Sequence, residues 1–376
     1  MSSKIQFLAY YLPQFHPIPE NDSWWGKGFT EWTNVKKGKP QFNGHYQPII
    51  PGQLGYYDLL KTPNIQEEQA QLAKKYGVDG FIYYQYWFGN KMLLEKPAEV
   101  MLKNKKVNIP FCFCWANETW KGIWHGLDNP DVLIEQTYDG VEGYKTYFNY
   151  LLPFFEDKRY IKVDNKPMFH VYRFDDIPNI DLFIETFNLL AEEHGFNGIY
   201  FIATIASDEI LKNNSIYGKV GVDVFLKMRY GLEFLFSEKT IAGRIERRLK
   251  KAKRKWLKSN KHIDDRDKPL IFDYKKGVSK MNIKFPNKKY MPCVFPNWDN
   301  TARSGKKAMI FKNSTPQSWK IHLENTVKEM KKNPDNPPFL VIKSWNEWAE
   351  GNYLEPDAKY GLKWLEAIKE QEDFKS

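Results

Sequence analysis

The stretch NIQEEQAQLAKKYGVDGFIYYQY, residues 64–86, holds one complete helix-to-strand unit. Its first part follows a helical period and stops at Gly77, a residue suited to capping a helix before the chain turns back. DGFIYYQY (79–86) is then a short apolar run of strand character. The same unit recurs along the chain. Apolar runs occur at 5–11, 79–86, 109–116, 166–172, 198–205, 222–227, 290–298 and 338–346, with helical patterns among them at 64–77, 140–157, 181–195 and 316–333. Strands alternating with helices predict a parallel sheet, and eight such units predict a closed (β/α)8 TIM barrel. An open doubly wound sheet would need a glycine-rich phosphate turn after its first strand. The sequence there is YYLPQFHP, so the barrel is favoured. One barrel domain is expected over residues 1–376.

Two excursions interrupt the pattern. Residues 16–58 read as a long irregular loop after the first strand, rich in Pro, Gly and Trp, and loops of that length are usually functional. Residues 228–289 form an insertion between strands 6 and 7, with a basic helical pattern inside it. Its segment IAGRIERRLKKAKRKWLKSNK (241–261) carries ten Lys and Arg against Glu246 alone, or +9 of the chain's net +10. Ile241, Ile245, Leu249, Ala252 and Trp256 recur at helical steps, leaving the cations of 244–261 on the other faces. The plain reading is a solvated helix packed on the barrel. The sharper one is an interfacial helix on an anionic membrane surface. Nucleic acid is not an expected partner, because the charge is confined to one insertion and no recognition fold accompanies it.

The opening MSSKIQFLAYYLPQFHP has neither a cationic start nor a long apolar core, so the expected location is cytoplasmic, or peripheral at the inner face of the membrane. Cys112, Cys114 and Cys293 lie in strand-like runs and read as reduced core thiols. No clustered His, Cys or carboxylate set suggests a metal, and no cofactor is expected. Aromatic residues make up 16% of the chain, enough to fill a core and still line a cleft that stacks on sugar rings.

In such barrels the chemistry sits at the C-terminal ends of the strands. Those ends read Tyr10-Tyr11, Tyr86-Trp87, Trp115 to Glu118 with Asn117 between, Tyr172-Arg173, Trp298-Asp299 and Asn346-Glu347. Rings for stacking, with amides and carboxylates for hydroxyls, predict a carbohydrate site formed by Tyr11, Tyr86, Trp87, Trp115, Asn117, Glu118, Tyr172, Trp298, Asp299, Trp345 and Asn346. After the eighth run comes SWNEWAEG (344–351), where Glu347 and Glu350 stand three residues apart among tryptophans. One helical turn would put their Cβ atoms about 5–6 Å apart on one face. Mutual repulsion would separate their proton affinities, as a general acid paired with a general base requires.

Five stretches, AYYLPQFHPIPENDSWWGKGFTEW (9–32), HYQPIIPGQLGYYDL (45–59), CWANETW (114–120), VFPNWDNTAR (294–303) and SWNEWAEGNYLEPDAKYG (344–361), carry a resemblance across almost the whole chain. The sequence resembles glycoside hydrolase family 99 and, more closely, the family-99-like WbsX-type proteins of bacterial polysaccharide biosynthesis clusters. That resemblance implies a (β/α)8 barrel and endo-acting cleavage of α-mannosides with retention. Its two motif glutamates match Glu347 and Glu350. Glu347 would act as base on the substrate's own 2-hydroxyl, which attacks C1 to form a 1,2-anhydro sugar, and Glu350 as the acid that later activates water. The N-terminal block follows the WbsX-type pattern more than that of the mannosidases, and this group has also been labelled glycosyltransferase. The expected function is therefore a retaining glycoside hydrolase or transglycosylase acting on a bacterial surface polysaccharide or its lipid-linked precursor. The alternatives are a glycosyltransferase of O-antigen or capsule assembly and a barrel that only binds glycan.

Overall fold

The computed structural model describes residues 4–122, 131–205, 222–227, 268–280 and 290–375. Eight strands form where the apolar runs lie: β1 (Gln6–Tyr11), β2 (Gly80–Trp87), β3 (Phe111–Trp115), β4 (Lys166–Val171), β5 (Tyr200–Ile205), β6 (Val222–Lys227), β7 (Tyr290–Val294) and β8 (Phe339–Ile342). Each strand pairs in parallel with the next in chain order. β8 then returns to β1, with Ala9 opposite Ile342, while the other side of β1 pairs Tyr10 with Ile82. The sheet has no free edge, so the barrel is closed.

The excursion after β1 is not irregular throughout. It contains α1 (Pro19–Trp25), opened by a proline that needs no hydrogen-bonded N–H, and α2 (Glu31–Lys37), opened by a Thr30–Thr33 capping box. Trp32 packs 4.8 Å from the Phe15 ring and 5.3 Å from the Tyr57 ring, which ties this segment to the barrel rim. α3 (Ile65–Lys75) buries Ile65, Gln69, Leu72 and Ala73 on one stripe, and Gly77 beyond it has φ +84°, as the glycine stop predicts. α4 (Lys96–Lys103), α5 (Gly140–Glu156) and α6 (Ile180–Glu193) precede β3, β4 and β5. α7 (Tyr274–Lys280) and the short α8 (Thr301–Ser304) flank β7. α9 (Pro316–Lys331) leads into β8, and α10 (Lys363–Lys369) follows it.

Much of the aromatic content lies between barrel and helices. Phe113, Phe169 and Phe201 on strands meet Phe154, Phe183 and Phe187 on helices in tilted and edge-on contacts. Each fully buried ring contributes roughly 1.5–3 kcal/mol. Inside the barrel Tyr10 stacks on Tyr84 at 4.9 Å. The three cysteines are buried free thiols, as expected. Within the 228–289 insertion, Leu270–Asp273 pairs in parallel with Met309–Lys312 outside the barrel and runs into α7. The basic segment 244–261 lies outside the described residues. Among the described residues no helix is long and apolar enough to cross a membrane.

Candidate active site

β8 ends at Ile342, earlier than its apolar run, and the next nine residues build the floor of a cleft at the C-terminal end of the barrel. Asn346–Glu347 pairs antiparallel with Asn352–Tyr353, and the chain between them makes a 3₁₀ turn, Trp348–Glu350. The glutamates therefore meet across a tight turn in place of the α-helical turn the spacing suggested. Glu347 stands just before that turn and Glu350 at its end. Gly351 closes the turn at φ +56°, where a Cβ would lie 2.5 Å from the Asp299 carbonyl oxygen, so no other residue fits.

Two cations serve three carboxyls here. Lys343 Nζ lies 2.8 Å from both Glu347 oxygens and 3.4 Å from Glu350 Oε2. Arg303 on α8 donates through Nη1 to Glu350 Oε1 at 2.8 Å and through Nη2 to Glu31 Oε1 at 2.8 Å. Glu31, on α2, also accepts the Ala349 N–H inside the turn at 3.1 Å. One negative charge is left over, and a single proton cancels it. Burial raises the Glu347 carboxyl, which Lys343 offsets only in part. Glu350 is the more exposed of the two, and Lys343 and Arg303 together pull it below the ordinary carboxylate range. Of the pair, Glu347 is thus the carboxyl that keeps a proton more readily and Glu350 the one that gives it up. Burial opposes the charge on Lys343, but the two glutamates outweigh it and keep the ammonium protonated.

The cleft is lined by Gln14, Tyr84, Tyr86, Glu118, Trp120, Tyr172, Arg303, Lys343, Glu347 and Glu350, with Leu12 and Ala116. Of the residues expected from the sequence, Tyr86, Glu118, Tyr172, Glu347 and Glu350 meet there. Glu118 is held at the rim by Arg173 at 2.6 Å. Trp298 stands beside the cleft, its ring centroid 5.6 Å from Lys343 Nζ. Tyr11, Trp87 and Trp115 turn away for a reason of strand geometry: neighbouring side chains point to opposite faces, so only one of an aromatic pair can face the axis. Tyr10 faces in, while Tyr11 faces out and donates to Gln69 on α3 at 2.7 Å. Trp87 stacks on Tyr147 of α5 at 5.0 Å, and Trp115 donates from Nε1 to the Trp87 carbonyl at 2.9 Å. Asn117 joins two strand ends, accepting from the Arg173 N–H at 2.8 Å and donating to the Arg173 carbonyl at 2.8 Å. Trp345 is buried 5.1 Å from the Phe81 ring, and Asn346 accepts the Leu12 N–H at 2.7 Å. Trp298 and Asp299 line a neighbouring groove with Phe42, Tyr46, Tyr353 and Tyr360.

Sequence reasoning missed Lys343, Arg303 and Glu31. Arg303 and Glu31 lie inside stretches that carry the resemblance, but an ion pair 272 residues apart in sequence has no local signature. Lys343 had one: a lone cation that ends an otherwise apolar strand run points to a buried partner.

Behind the turn sits a further carboxyl, Glu355, which accepts from Trp348 Nε1 at 2.6 Å, Gln69 Nε2 at 2.7 Å and Tyr57 Oη at 3.0 Å. Tyr57 in turn accepts from Asn346, so Glu355 braces the turn through its central tryptophan and the asparagine in front of it. Burial pushes Glu355 up to about 7, against the pull of those donors. A folded-state value above the unfolded one means that stability is fullest at acid pH and falls as pH rises through about 7. Glu355→Gln is expected to flatten that fall, on the order of 1–3 kcal/mol between about pH 5 and pH 8. Urea midpoints across that range check it, and parallel curves for the two proteins would discard the buried charge as the cause.

Comparison with known proteins bears on the fold and the family. The protein WxcX of Xanthomonas campestris pv. campestris (strain B100) is 35% identical over 366 residues, which cover 96% of this chain and 49% of WxcX. The chain thus spans about half the length of the curated relatives it matches. Among solved structures, the family 99 endo-α-mannosidase of Bacteroides thetaiotaomicron shares the fold at a TM-score of 0.53 and 15% identity, over 98% of this chain and 96% of that one. A glycoside hydrolase-like protein shares it at 0.57 and 12%, over 98% and 94%. The description glycosyltransferase WbsX attaches to the family model that matches residues 7–368, and the chain belongs to that family.

Proposed function

We propose that this chain breaks glycosidic bonds with retention of configuration and passes the sugar to water or to another sugar hydroxyl. The observation that carries the reading is the Glu347–Glu350 pair, drawn to one ammonium at the floor of a cleft lined by Tyr84, Tyr86, Trp120 and Tyr172. Glycoside cleavage needs one carboxyl to protonate the departing oxygen and another to act at the sugar. In the route implied by the resemblance, Glu347 takes the proton of the substrate's 2-hydroxyl as that oxygen closes on C1. Glu350 gives its proton to the leaving oxygen, then removes one from the acceptor that opens the anhydro ring, while Glu347 returns its proton to the 2-oxygen as the C1–O2 bond breaks. In the free protein Glu347 keeps a proton more readily than Glu350, so this route needs glycan entry to reverse that order. Lys343 touches both carboxyls and can follow that exchange without leaving either.

The relatives pull in two directions. The neighbouring fold is that of an endo-α-mannosidase, whereas the family carries a glycosyltransferase description. A retaining pair reconciles them, since hydrolysis and transfer share their first step and differ only in the acceptor. The chemistry of the pair favours a glycoside as donor. An alkoxide leaving group needs the acid, whereas a diphosphate leaving group does not. Purified protein incubated with labelled host polysaccharide and, separately, with labelled sugar nucleotides tests this. Release or transfer from the polysaccharide alone is expected. Transfer from a sugar nucleotide to an acceptor would overturn the reading in favour of a nucleotide-dependent transferase.

A further inference from the structure

Asp299, expected from the sequence to bind substrate, has its carboxylate occupied within the protein. Oδ2 accepts from His45 Nε2 at 2.6 Å and from Gln47 Nε2 at 2.8 Å. Oδ1 accepts from the Thr301 N–H at 3.1 Å and from Thr301 Oγ1 at 2.7 Å. The His45 proton is fixed on Nε2, because Nδ1 accepts from the Gln41 N–H at 3.0 Å. Four donors converge on one carboxylate, which leaves it no capacity for a sugar hydroxyl. Its backbone is engaged as well, donating to the Glu350 carbonyl at 2.9 Å.

What Asp299 does hold is the start of α8. That helix is only four residues long, Thr301–Ser304, and has no stability of its own, yet it carries Arg303. We propose that Asp299 is a positioning residue. By fastening the first residue of α8 and the 41–47 segment to one carboxylate, it holds the Arg303 guanidinium across Glu350 and Glu31, and so sets the counter-charge that Glu350 faces. The inference rests on the proposed function only for its relevance to catalysis, since that counter-charge is present without substrate. The groups facing Glu350 are Lys343 and Glu347 from the chain after β8, Arg303 from α8, Glu31 from α2, and Tyr86 from β2, with Glu118 and Tyr172 at the rim.

The sign of one shift separates positioning from mere proximity. Removing the Asp299 charge lowers a nearby carboxyl, because a like charge has gone; loosening Arg303 raises it, because a counter-charge has gone. The experiment is a ¹³C NMR titration of glutamate carboxyls in the full chain, with Glu350→Gln identifying the signals of the pair. In Asp299→Ala the lower of the pair's two titration steps is expected to move up by about one unit or more. Asp299→Asn keeps an oxygen for Thr301 and can be met by a flipped Gln47 amide, but it sets an N–H against the His45 Nε2 proton, so its upward shift should be smaller than that of Asp299→Ala. Thr301→Val, which removes one donor, supplies a milder upward shift should Asp299→Ala fail to fold. A downward or absent shift in both Asp299→Ala and Thr301→Val would reduce Asp299 to a structural hub and overturn the proposal. That outcome leaves the glycan reading standing. Conversely, the expected shift in a protein inert on every glycan would reject the function and keep the positioning.

Discussion

Glu350→Gln and Glu347→Gln are each expected to lower turnover by about 10²–10⁴-fold, the usual contribution of one acid–base group. Both variants should fold. The native cluster holds three carboxyls against Lys343 and Arg303, and one extra proton balances it. Replacing either glutamate by glutamine leaves two carboxylates against two cations, so the charge balances without that proton and no buried charge is stranded. Turnover and stability should therefore separate: urea midpoints near wild type, with rates far below it. The pH profile adds a second readout. Two interacting carboxyls titrate as a pair, giving a profile with two limbs that belong to both residues. Each single variant should lose one limb. Near-wild-type rates in either variant would remove that residue from the mechanism.

A 2-deoxy or 2-O-methyl substrate is expected not to turn over, although it still binds. In the proposed route the 2-hydroxyl oxygen is the nucleophile, so removing or capping it removes the first step and not merely an assisting contact. Lys343 draws both carboxyls towards one ammonium, at 2.8 Å and 3.4 Å. That arrangement suits a neighbouring group on the sugar better than two carboxyls straddling the ring. The route also demands a leaving group trans to the 2-hydroxyl, since C1 must be approached from behind. An α-manno or a β-gluco relationship satisfies it. A retaining enzyme with a carboxylate nucleophile could process the 2-deoxy analogue, because the 2-hydroxyl there only strengthens transition-state binding. Efficient cleavage of that analogue would leave Glu347 without its proposed role.

How much of this was legible beforehand follows from which interactions are local. The barrel was, because periodicity and glycine stops such as Gly77 act within one helix-to-strand unit. The paired glutamates were too, since they share one short motif at a strand end. Orientation was harder. Their place at strand ends assigns Tyr11, Trp87 and Trp115 to the cleft, but the pleat turns them towards α3 and α5, where the helices bury them. Asn346 and Trp345 sit beside Glu347 in sequence yet brace its turn from behind. Arg303 and Glu31 come from segments that meet only once the barrel closes, and their significance lies in the charge count, which no single segment displays.

The most direct test of the proposed retaining route is the configuration of the first product. Glycan from the host polysaccharide is cleaved in an NMR tube and the anomeric proton is read before mutarotation. The account predicts the substrate's own anomer in the first spectra of the wild-type protein, and no product in that interval from Glu350→Gln. An inverted anomer would contradict it.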